Sequence, residues 1–454
     1  MHDFSINETF SMRRIADLSI PSGPSGRLLL IALFVILTAL SGCGAMKAVT
    51  VLEPAGQQGP PLEEDIQRND FSAAKGDSVI GRLATVRLEK DDTLPDVARH
   101  FGLGINAISA ANPGVDMWVP EAGRKVILPL SFILPDARRK GIVINLAAMR
   151  LFLFKGGGRV ATYPVGVGAE DRPTPMGQMY VKSKTVKPTW HVPASIAERY
   201  RKKGDPLPEK VPPGPKNPLG EYAMYLSRPG YLVHGTNKPA SIGLQATNGC
   251  IRLYPEDIKR LYESTPVNTP VSIVNQPYLV GQSGGVVYIE VHANGEDSDK
   301  SELNKMFAKL KGIEKKSARP VDWGKVKQAL AEARGVPVSV SGVPDGSGKG
   351  AEIAEVRHPA KLYGRPEVPE LKMGAWYVLA GDMPHRENAI RLAAIINHQG
   401  PQIPARVITR KNDYRVIAGP FKNMADAKEA VKRLKIDLEL EGRLIELKAD
   451  VPGQ

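Results

Sequence analysis

Stretches rich in glycine, proline and charged residues divide this sequence into separate folding units. One covers residues 44–80, and another runs from Val336 to Gly350. Such composition predicts linkers rather than packed structure. The chain has 454 residues, which is too many for one ordinary hydrophobic core. We therefore expect several domains joined by linkers.

The N-terminus has the pattern of a bacterial lipoprotein signal. Arginines precede an uncharged run from Leu28 to Leu40, which has the length of a signal-peptide core and is short for a membrane span. The run leads into Leu-Ser-Gly-Cys43, which resembles a lipobox. Residues 1–43 are predicted to be a signal peptide, with Cys43 lipidated at the mature N-terminus and residues 44–82 as a flexible tether. The alternative is a plain signal anchor in which Cys43 is buried.

The sequence contains only two cysteines, Cys43 and Cys250. If Cys43 carries lipid, Cys250 is the single free thiol of an oxidising compartment. Such a thiol is either buried and inert or a working nucleophile.

The formal net charge of +13 allows nucleic acid, anionic lipid or an anionic wall polymer as partners. The basic residues are dispersed and no nucleic-acid motif is present, so we expect no nucleic-acid partner. No cluster of Cys, His and Asp has zinc spacing, so we expect no metal and no cofactor.

Cys250 and His234 are separated by 16 residues and have the chemistry of a nucleophile and its base. A thiol near its normal pKa is mostly protonated at pH 7, so it needs a base beside it. His234 can take the proton and then, as imidazolium, hold the thiolate. Gly249 lets a substrate carbonyl approach, and the amides of Gly249 and Cys250 would form an oxyanion hole. Arg252 supplies a planar cation suited to a substrate carboxylate.

The region around these residues, 138–276, has a β-rich pattern. Gly141–Leu146 and Met149–Phe154 are predicted to be paired strands, and further short strands follow, separated by glycine- and proline-rich turns. A loop from Pro206 to Pro218 contains six prolines. Long loops inside a compact domain are usually functional.

The region resembles the L,D-transpeptidase (YkuD) catalytic domain. The resemblance rests on these motifs: His234-Gly235-Thr236, Thr247-Asn248-Gly249-Cys250-Ile251-Arg252, Thr174-Pro175-Met176-Gly177 and Asn217-Pro218-Leu219-Gly220. It implies a β-rich sandwich in which Cys250 and His234 are catalytic and the carbonyl of Gly235 completes the triad. It also implies that Gly249, Arg252, Thr236 and Asn248 form the oxyanion and substrate-binding set. Asn248 replaces a His of many relatives, but this position contributes mainly through its backbone.

The flanking regions resemble two wall-binding modules. Residues 83–132 resemble a LysM module through Thr93-Leu94, Asn112-Pro113-Gly114 and neighbouring apolar positions; the alternative is a structural cap that binds no glycan. Residues 375–449 repeat a strand–helix pattern and resemble a SPOR domain of βαββαβ order, the alternative being an unrelated ferredoxin-like module. Between them, 277–372 is predicted to be a linker region with a helix at Glu302–Gly312. The predicted fold class is multidomain α+β.

The resemblance implies a peptidoglycan L,D-transpeptidase. Cys250 would be acylated by the meso-diaminopimelate carbonyl of a tetrapeptide stem with release of D-Ala, and the acyl group would pass to an amine. Diaminopimelate as acceptor gives a 3-3 cross-link, a lipoprotein lysine anchors a protein, and water trims the stem. Two alternatives remain: a wall-binding scaffold with an inert enzyme domain, and an amidase that releases wall-linked protein.

The partners implied are stem peptides, glycan strands, a wall-anchored lipoprotein and the membrane through Cys43. The expected location is the periplasm or cell envelope, lipid-anchored, with the outer membrane favoured. Because the C-terminal module is predicted to be independent, we expect its deletion to alter localisation more than turnover.

Overall fold

The computed structural model describes residues 62–202, 204–293, 300–316, 320–341, 353–410 and 413–447. The predicted signal peptide, the lipidation site Cys43 and most of the predicted tether lie outside the described residues. None of the helices in the described part of the chain has the length and hydropathy needed to span a bilayer.

The end of the predicted tether belongs to the folded protein. Strand β1 (Asp70–Ser72) pairs with a strand of the large sheet, and Phe71 on it is buried. Strand β2 (Val79–Gly81) also pairs antiparallel, with Ile80 buried. The tether predicted over 44–82 is therefore too long. Phe71 and Ile80 are buried in a hydrophobic core although their neighbours in the sequence are mostly polar residues and glycine.

The next unit has the strand–helix–helix–strand order expected over 83–132. Its elements are β3 (Ala84–Arg87), α1 (Leu94–His100), α2 (Ile105–Ala111) and β4 (Lys125–Leu128), followed by β5 (Ser131–Ile133), the partner of β2. Strands β3 and β4 pair antiparallel. The Thr93 side chain caps α1 by accepting from the Asp96 amide, as a helix N-cap requires. The Asn112 amide group ties the end of α2 to the backbone of Ile127 in β4.

The central unit is a mixed sheet with a covering helix. Its elements are β6 (Gly141–Asn145), β7 (Arg150–Gly156), β8 (Arg159–Pro164), β9 (Val167–Gly168), β10 (Gly177–Val186), β11 (Trp190–His191), α3 (Ala194–Lys202), β12 (Lys210–Val211), β13 (Tyr222–Leu226), β14 (Leu232–His234), β15 (Gln245–Thr247), β16 (Ile251–Arg252), α4 (Pro255–Ser264) and β17 (Pro270–Val274). The strand order is β1-β8-β7-β6-β17-β10-β13-β14-β16. β6 and β7 pair antiparallel as predicted. Ile258 and Leu261 of α4 pack into the same core as the strands.

Residues 278–341 form a packed unit where the sequence pattern predicts linker. Its elements are β18 (Tyr278–Ser283), β19 (Val286–Val291), α5 (Lys300–Lys316), α6 (Trp323–Glu332) and β20 (Val338–Ser339). Ile289, Leu310 and Val326 are fully buried in its own core. This corrects the expected linker over 277–372. The short strands are joined by a glycine turn, and α5 extends the helix expected at Glu302–Gly312.

The C-terminal unit has the predicted βαββαβ order. Its elements are β22 (Trp376–Met383), α7 (Arg386–Asn397), β23 (Ala405–Arg410), β24 (Asp413–Phe421), α8 (Met424–Leu438) and β25 (Arg443–Glu446). The strands are ordered β23-β24-β22-β25, and both helices bury apolar side chains in one core with β22 and β24.

The C-terminal unit packs against the N-terminal and central units. Trp118 of the N-terminal unit joins its core, and Arg391 of α7 forms an ion pair with Asp116. On another side, Gly400 lies against the backbone of Asn237 and Lys238, three and four residues after His234, with no room for a side chain. The segment between the units also takes part, since β21 (Ala354–Val356) extends the N-terminal sheet beside β3.

Candidate active site

His234 and Cys250 lie on adjacent parallel strands at the end of the large sheet. His234 is the last residue of β14, and Cys250 immediately precedes β16. In the register of this pair, His234 is opposite Arg252 and Val233 is opposite Ile251. Because paired residues of adjacent strands lie on the same face of a sheet, His234 and Arg252 share one face, and Cys250 lies at the end of the same strand pair, two residues before Arg252.

The His234 imidazole is oriented by the backbone. Its Nδ1 lies 2.6 Å from the carbonyl oxygen of Gly235, so Nδ1 carries the proton and Nε2 is the basic nitrogen. This is the Gly235 carbonyl expected to complete the triad. His234 is buried, and burial lowers its pKa to about 3. The cation of Arg252 acts in the same direction, while the carbonyls of Gly235 and Leu219 oppose it.

The Cys250 thiol is half-buried, and its Sγ lies 3.7 Å from the carbonyl oxygen of Gly230. Burial raises the pKa of this thiol, and the amide of Leu232 and the charge of Arg252 oppose the rise. At neutral pH the free protein therefore holds a thiol beside a neutral imidazole. A thiolate held by an imidazolium is confined to the reaction itself.

Arg252 is fixed by hydrogen bonds rather than left free at the surface. Its Nη1 donates to the Ser241 hydroxyl at 2.8 Å, and that hydroxyl donates to the carbonyl oxygen of Lys238. Its buried Nε has no hydrogen-bond partner among the described residues. The guanidinium thus adjoins both Cys250 and His234 but is partly engaged, which limits the carboxylate-binding role expected for it.

The turn before Cys250 requires glycine. Gly249 has φ +96°, and a side chain there would come within 2.8 Å of the Tyr231 ring. The Gly249 amide donates to the Thr247 hydroxyl at 3.2 Å, and this hydroxyl donates to the carbonyl oxygen of Cys250 at 2.6 Å. The oxyanion role expected of the Gly249 amide would require it to leave Thr247.

Thr236 shapes the turn that follows His234. Its side chain is buried, and its hydroxyl accepts from the Lys238 amide at 2.9 Å. The structure therefore gives Thr236 a turn-forming contact, whereas the family resemblance implies a substrate contact.

Comparisons with known proteins identify the families that this chain resembles. The L,D-transpeptidase catalytic domain (YkuD) model matches residues 139–273, and the SPOR domain model matches residues 372–441. The probable L,D-transpeptidase ErfK/SrfK of Salmonella typhimurium is 36% identical over 278 residues, covering 59% of this chain and 89% of the relative. The chain belongs to the L,D-transpeptidase family. The probable L,D-transpeptidase YbiS of Escherichia coli K12 is 35% identical over 275 residues, covering 59% of this chain and 90% of that protein. The probable L,D-transpeptidase YcfS of the same strain is 40% identical over 224 residues, covering 48% and 70% respectively.

The family assignment confirms the predicted activity and the β-rich catalytic domain, and the second match confirms the SPOR domain. The chain is a transferase of cell-wall metabolism that acts on peptidoglycan in the cell envelope. The LysM-like character of the N-terminal unit stays a prediction. Within the described ranges, no group of three or more His, Cys, Asp or Glu side chains is placed to hold a metal ion.

A segment that we call the lid lies beside the transpeptidase site, in contact with Asn248 and with the turn after His234. It consists of residues 187–202 and 204–220, in which β11 and β12 pair around α3. Asn217 is fully buried at its base. Its amide nitrogen donates to the carbonyls of Pro188, Val211 and Pro212, and its oxygen accepts from the Leu219 amide. Since the Leu219 carbonyl faces the His234 ring, the lid and the base are joined at this point.

The site also contains arginines that the sequence pattern does not single out. Arg172 and Arg199 both donate to the side-chain oxygen of Asn248, at 2.6 and 2.9 Å. Arg172 follows β9, and Arg199 lies on the lid helix α3. They are 76 and 49 residues from Asn248, so sequence spacing gives no sign that they meet. The position of Arg172 directly before the Pro173-Thr174-Pro175 motif is the only hint.

Proposed function

We propose that this L,D-transpeptidase uses Cys250 as nucleophile and His234 as general base on a tetrapeptide stem of peptidoglycan. The observation that carries the proposal is that Cys250 directly precedes the strand paired with the His234 strand, with Nδ1 of His234 bonded to the Gly235 carbonyl. That bond places the ring proton on Nδ1, so Nε2 is the nitrogen that accepts the thiol proton.

The acylation step follows from this arrangement. The Cys250 thiol gives its proton to His234 as sulfur attacks the meso-diaminopimelate carbonyl, forming the S–C bond and placing negative charge on the carbonyl oxygen. Collapse breaks the C–N bond to D-Ala. The imidazolium then gives its proton to the leaving amine, and a thioester remains on Cys250.

Arg252 affects the protonation of both Cys250 and His234. Its positive charge favours the thiolate and disfavours the imidazolium, as the directions of the pKa shifts indicate. It therefore assists the attack while returning the His234 proton readily to the leaving amine.

Transfer completes the cycle. An acceptor amine attacks the thioester carbonyl, His234 takes a proton from that amine, the C–S bond breaks, and His234 returns the proton to the Cys250 sulfur. We propose meso-diaminopimelate or a lipoprotein lysine as the acceptor, with glycan strands held by the SPOR domain. Anchoring through lipidated Cys43, in the outer membrane, is part of the same proposal.

The test compares a soluble protein that begins after Cys43 with its Cys250→Ala variant. Each is incubated with disaccharide tetrapeptide, with and without a lysine-ended lipoprotein peptide, and the products are identified by mass spectrometry. D-Ala release that requires Cys250 is expected, and the adduct identifies the acceptor. Identical products from both proteins would contradict the proposal and favour a wall-binding scaffold. Release of a peptide from a preformed lipoprotein conjugate, without adduct formation, would favour the amidase.

A further inference from the structure

Two guanidinium groups meet beside the nucleophile on a single neutral oxygen. Arg172 donates through Nη1 and Arg199 through Nη2 to Oδ1 of Asn248, at 2.6 and 2.9 Å. Both arginines are half-buried, whereas Asn248 is exposed to solvent. We call these three residues the arginine clamp.

The clamp carries more positive charge than its protein partners neutralise. The amide oxygen of Asn248 has no formal charge, and the acid paired with the clamp is Asp171, 2.9 Å from Nε of Arg172. Guanidinium groups bind carboxylates through short, charge-assisted and often bidentate hydrogen bonds. A carboxylate is therefore a better hydrogen-bond acceptor for these two guanidinium groups than the Asn248 oxygen that accepts from them in this structure.

The clamp is built into the turn that carries the nucleophile. Asn248 is two residues before Cys250, and the Gly249 position between them lies against the Pro173 backbone. The loop of Arg172 is itself anchored, since the Thr174 hydroxyl accepts from the Gly168 amide at 2.9 Å. Arg199 comes from the lid. A carboxylate held by the clamp would lie near the turn that carries Cys250.

The carboxylate closest to that bond in the donor belongs to the leaving residue. The scissile amide joins the diaminopimelate carbonyl to the nitrogen of D-Ala, and the terminal carboxylate of D-Ala is one carbon away from that nitrogen. We propose that Arg172 and Arg199 bind this terminal carboxylate and so select stems that end at the fourth residue. The inference rests on the proposed function, because it takes Cys250 to be the attacking group.

Arg252 is less suited to this role. Its guanidinium is bonded to the Ser241 hydroxyl, and it lies on the strand after Cys250 rather than on the turn before it. Arg172 and Arg199 instead meet at Asn248, which is exposed to solvent.

The test measures discrimination between substrates rather than activity alone. Tetrapeptide stems are prepared with a free terminal carboxylate, with a terminal carboxamide, and with the side-chain carboxyl of diaminopimelate amidated instead. We expect the unaltered protein to prefer the free carboxylate over the terminal amide by about 10–100-fold in kcat/KM, as for loss of charge-assisted hydrogen bonds. Arg172→Gln with Arg199→Gln is expected to reduce this ratio to about one.

Arg201→Gln is the matched control, because Arg201 lies on the same helix but pairs with Glu198 instead of Asn248. It is expected to keep the full ratio. A ratio near one in the unaltered protein, or an unchanged ratio in the double variant, would overturn the inference. Discrimination that follows the diaminopimelate side-chain carboxyl instead would also overturn it, by assigning the clamp to another group of the stem.

Binding separates this inference from the proposed function. The Cys250→Ala protein cannot form the thioester, so calorimetric titration with the acid and amide stems reports the clamp without chemistry. Tighter binding of the acid, lost on substitution of both arginines, supports the clamp even if the unaltered protein releases no D-Ala. Equal binding of the two stems rejects the clamp even if D-Ala release requires Cys250.

Discussion

At the residue scale, the neutral Cys250–His234 pair sets how the free thiol reacts. Because burial raises the pKa of Cys250, little thiolate is present at pH 7. We expect the rate of alkylation by iodoacetamide to rise about tenfold per pH unit from pH 7 to pH 9, following the thiolate fraction. Peptide mass spectrometry over a time course measures the rate.

A plateau below pH 8 would show instead a thiolate already formed in the free protein. Arg252→Gln serves as the comparison, because removing the cation is expected to raise the thiol pKa further and slow alkylation at pH 8. Slow labelling alone therefore does not separate an inert scaffold from an enzyme; the substrate experiments do.

Asp257, behind the site on α4, is expected to make stability depend on pH. Burial raises its pKa to about 7, Glu256 adds to the rise, and arginines including Arg150 oppose it. Its Oδ2 is buried without a hydrogen-bond partner in the described structure. An acid whose pKa is higher in the folded state binds more protons there, so stability falls as pH rises from about 4 to 7.

Asp257→Asn is therefore expected to be more stable than the unaltered protein at pH 8, by roughly 1–4 kcal/mol, and similar to it at pH 4. Calorimetric unfolding across this range measures the difference. Glu263→Gln, an exposed acid on the same helix, is the control and should change little. A gain in the stability of the unaltered protein relative to the Asp257→Asn variant between pH 4 and 7 would contradict the sign.

The sequence pattern predicts that Cys250 and His234 belong to one motif, but it does not predict the side chains that contact them. The motif is short in sequence, and its strands pair with each other. The partners of Asn248 and the contact of Arg252 with Ser241 depend on loops that fold back from distant positions. Propensity and spacing carry no information on such contacts.

At the scale of elements, Asn217 is expected to control the lid. Its side chain makes the hydrogen bonds that close the base of the lid next to Leu219. Asn217→Ala would leave several buried backbone groups without partners, so we expect a loss of about 1–3 kcal/mol in stability. We also expect kcat/KM to fall about 10–100-fold, because the Leu219 carbonyl that faces His234 is released.

Hydrogen exchange over residues 187–202 and 204–220 together with D-Ala release tests this expectation. Lys216→Ala, an exposed neighbour, is the control. Faster exchange in the lid of the Asn217→Ala variant with unchanged kcat/KM would show that the lid does not position the base.

Elements with a strong local pattern were predictable, and those that depend on distant partners were not. The strands over 141–154 are apolar runs that are buried almost continuously and pair through a tight turn, and the strand–helix repeat of the SPOR domain is regular. The unit at 278–341 has short strands and isolated helices, and only their mutual packing makes a core. Strand β21 pairs with β3 across about 270 residues, which no local pattern indicates.

At the scale of the whole molecule, the modules are less independent than their sequence boundaries predict. The N-terminal unit is held by the segment that follows 353, with His358 paired to Asp92 at 3.0 Å and Leu362 buried in its core. Trp118 of the N-terminal unit also packs into the core of the SPOR domain. These contacts support the alternative of a structural cap for the LysM-like unit, and glycan binding by it stays a prediction.

The SPOR domain also contacts the lid, which bears on the expectation that its removal alters localisation more than turnover. Lys432 of α8 forms an ion pair with Asp205 of the lid, and Asp437 of the same helix lies 3.7 Å from Lys238 after the His234 turn. We expect Lys432→Asp to lower kcat/KM for D-Ala release about two- to fivefold, the effect of one exposed ion pair. The double change of Asp205→Lys with Lys432→Asp is expected to restore it, because the pair is reformed in reverse.

Lys428→Asp changes the same charge at an exposed position of the same helix and controls for net charge. Equal effects of the 428 and 432 substitutions, or no rescue by the reversed pair, would leave the SPOR domain as a wall-binding module without influence on the lid. Rescue confined to the reversed pair would mean that the position of the SPOR domain sets the position of the lid, so that a glycan strand bound by this domain acts on the acylation site through α8.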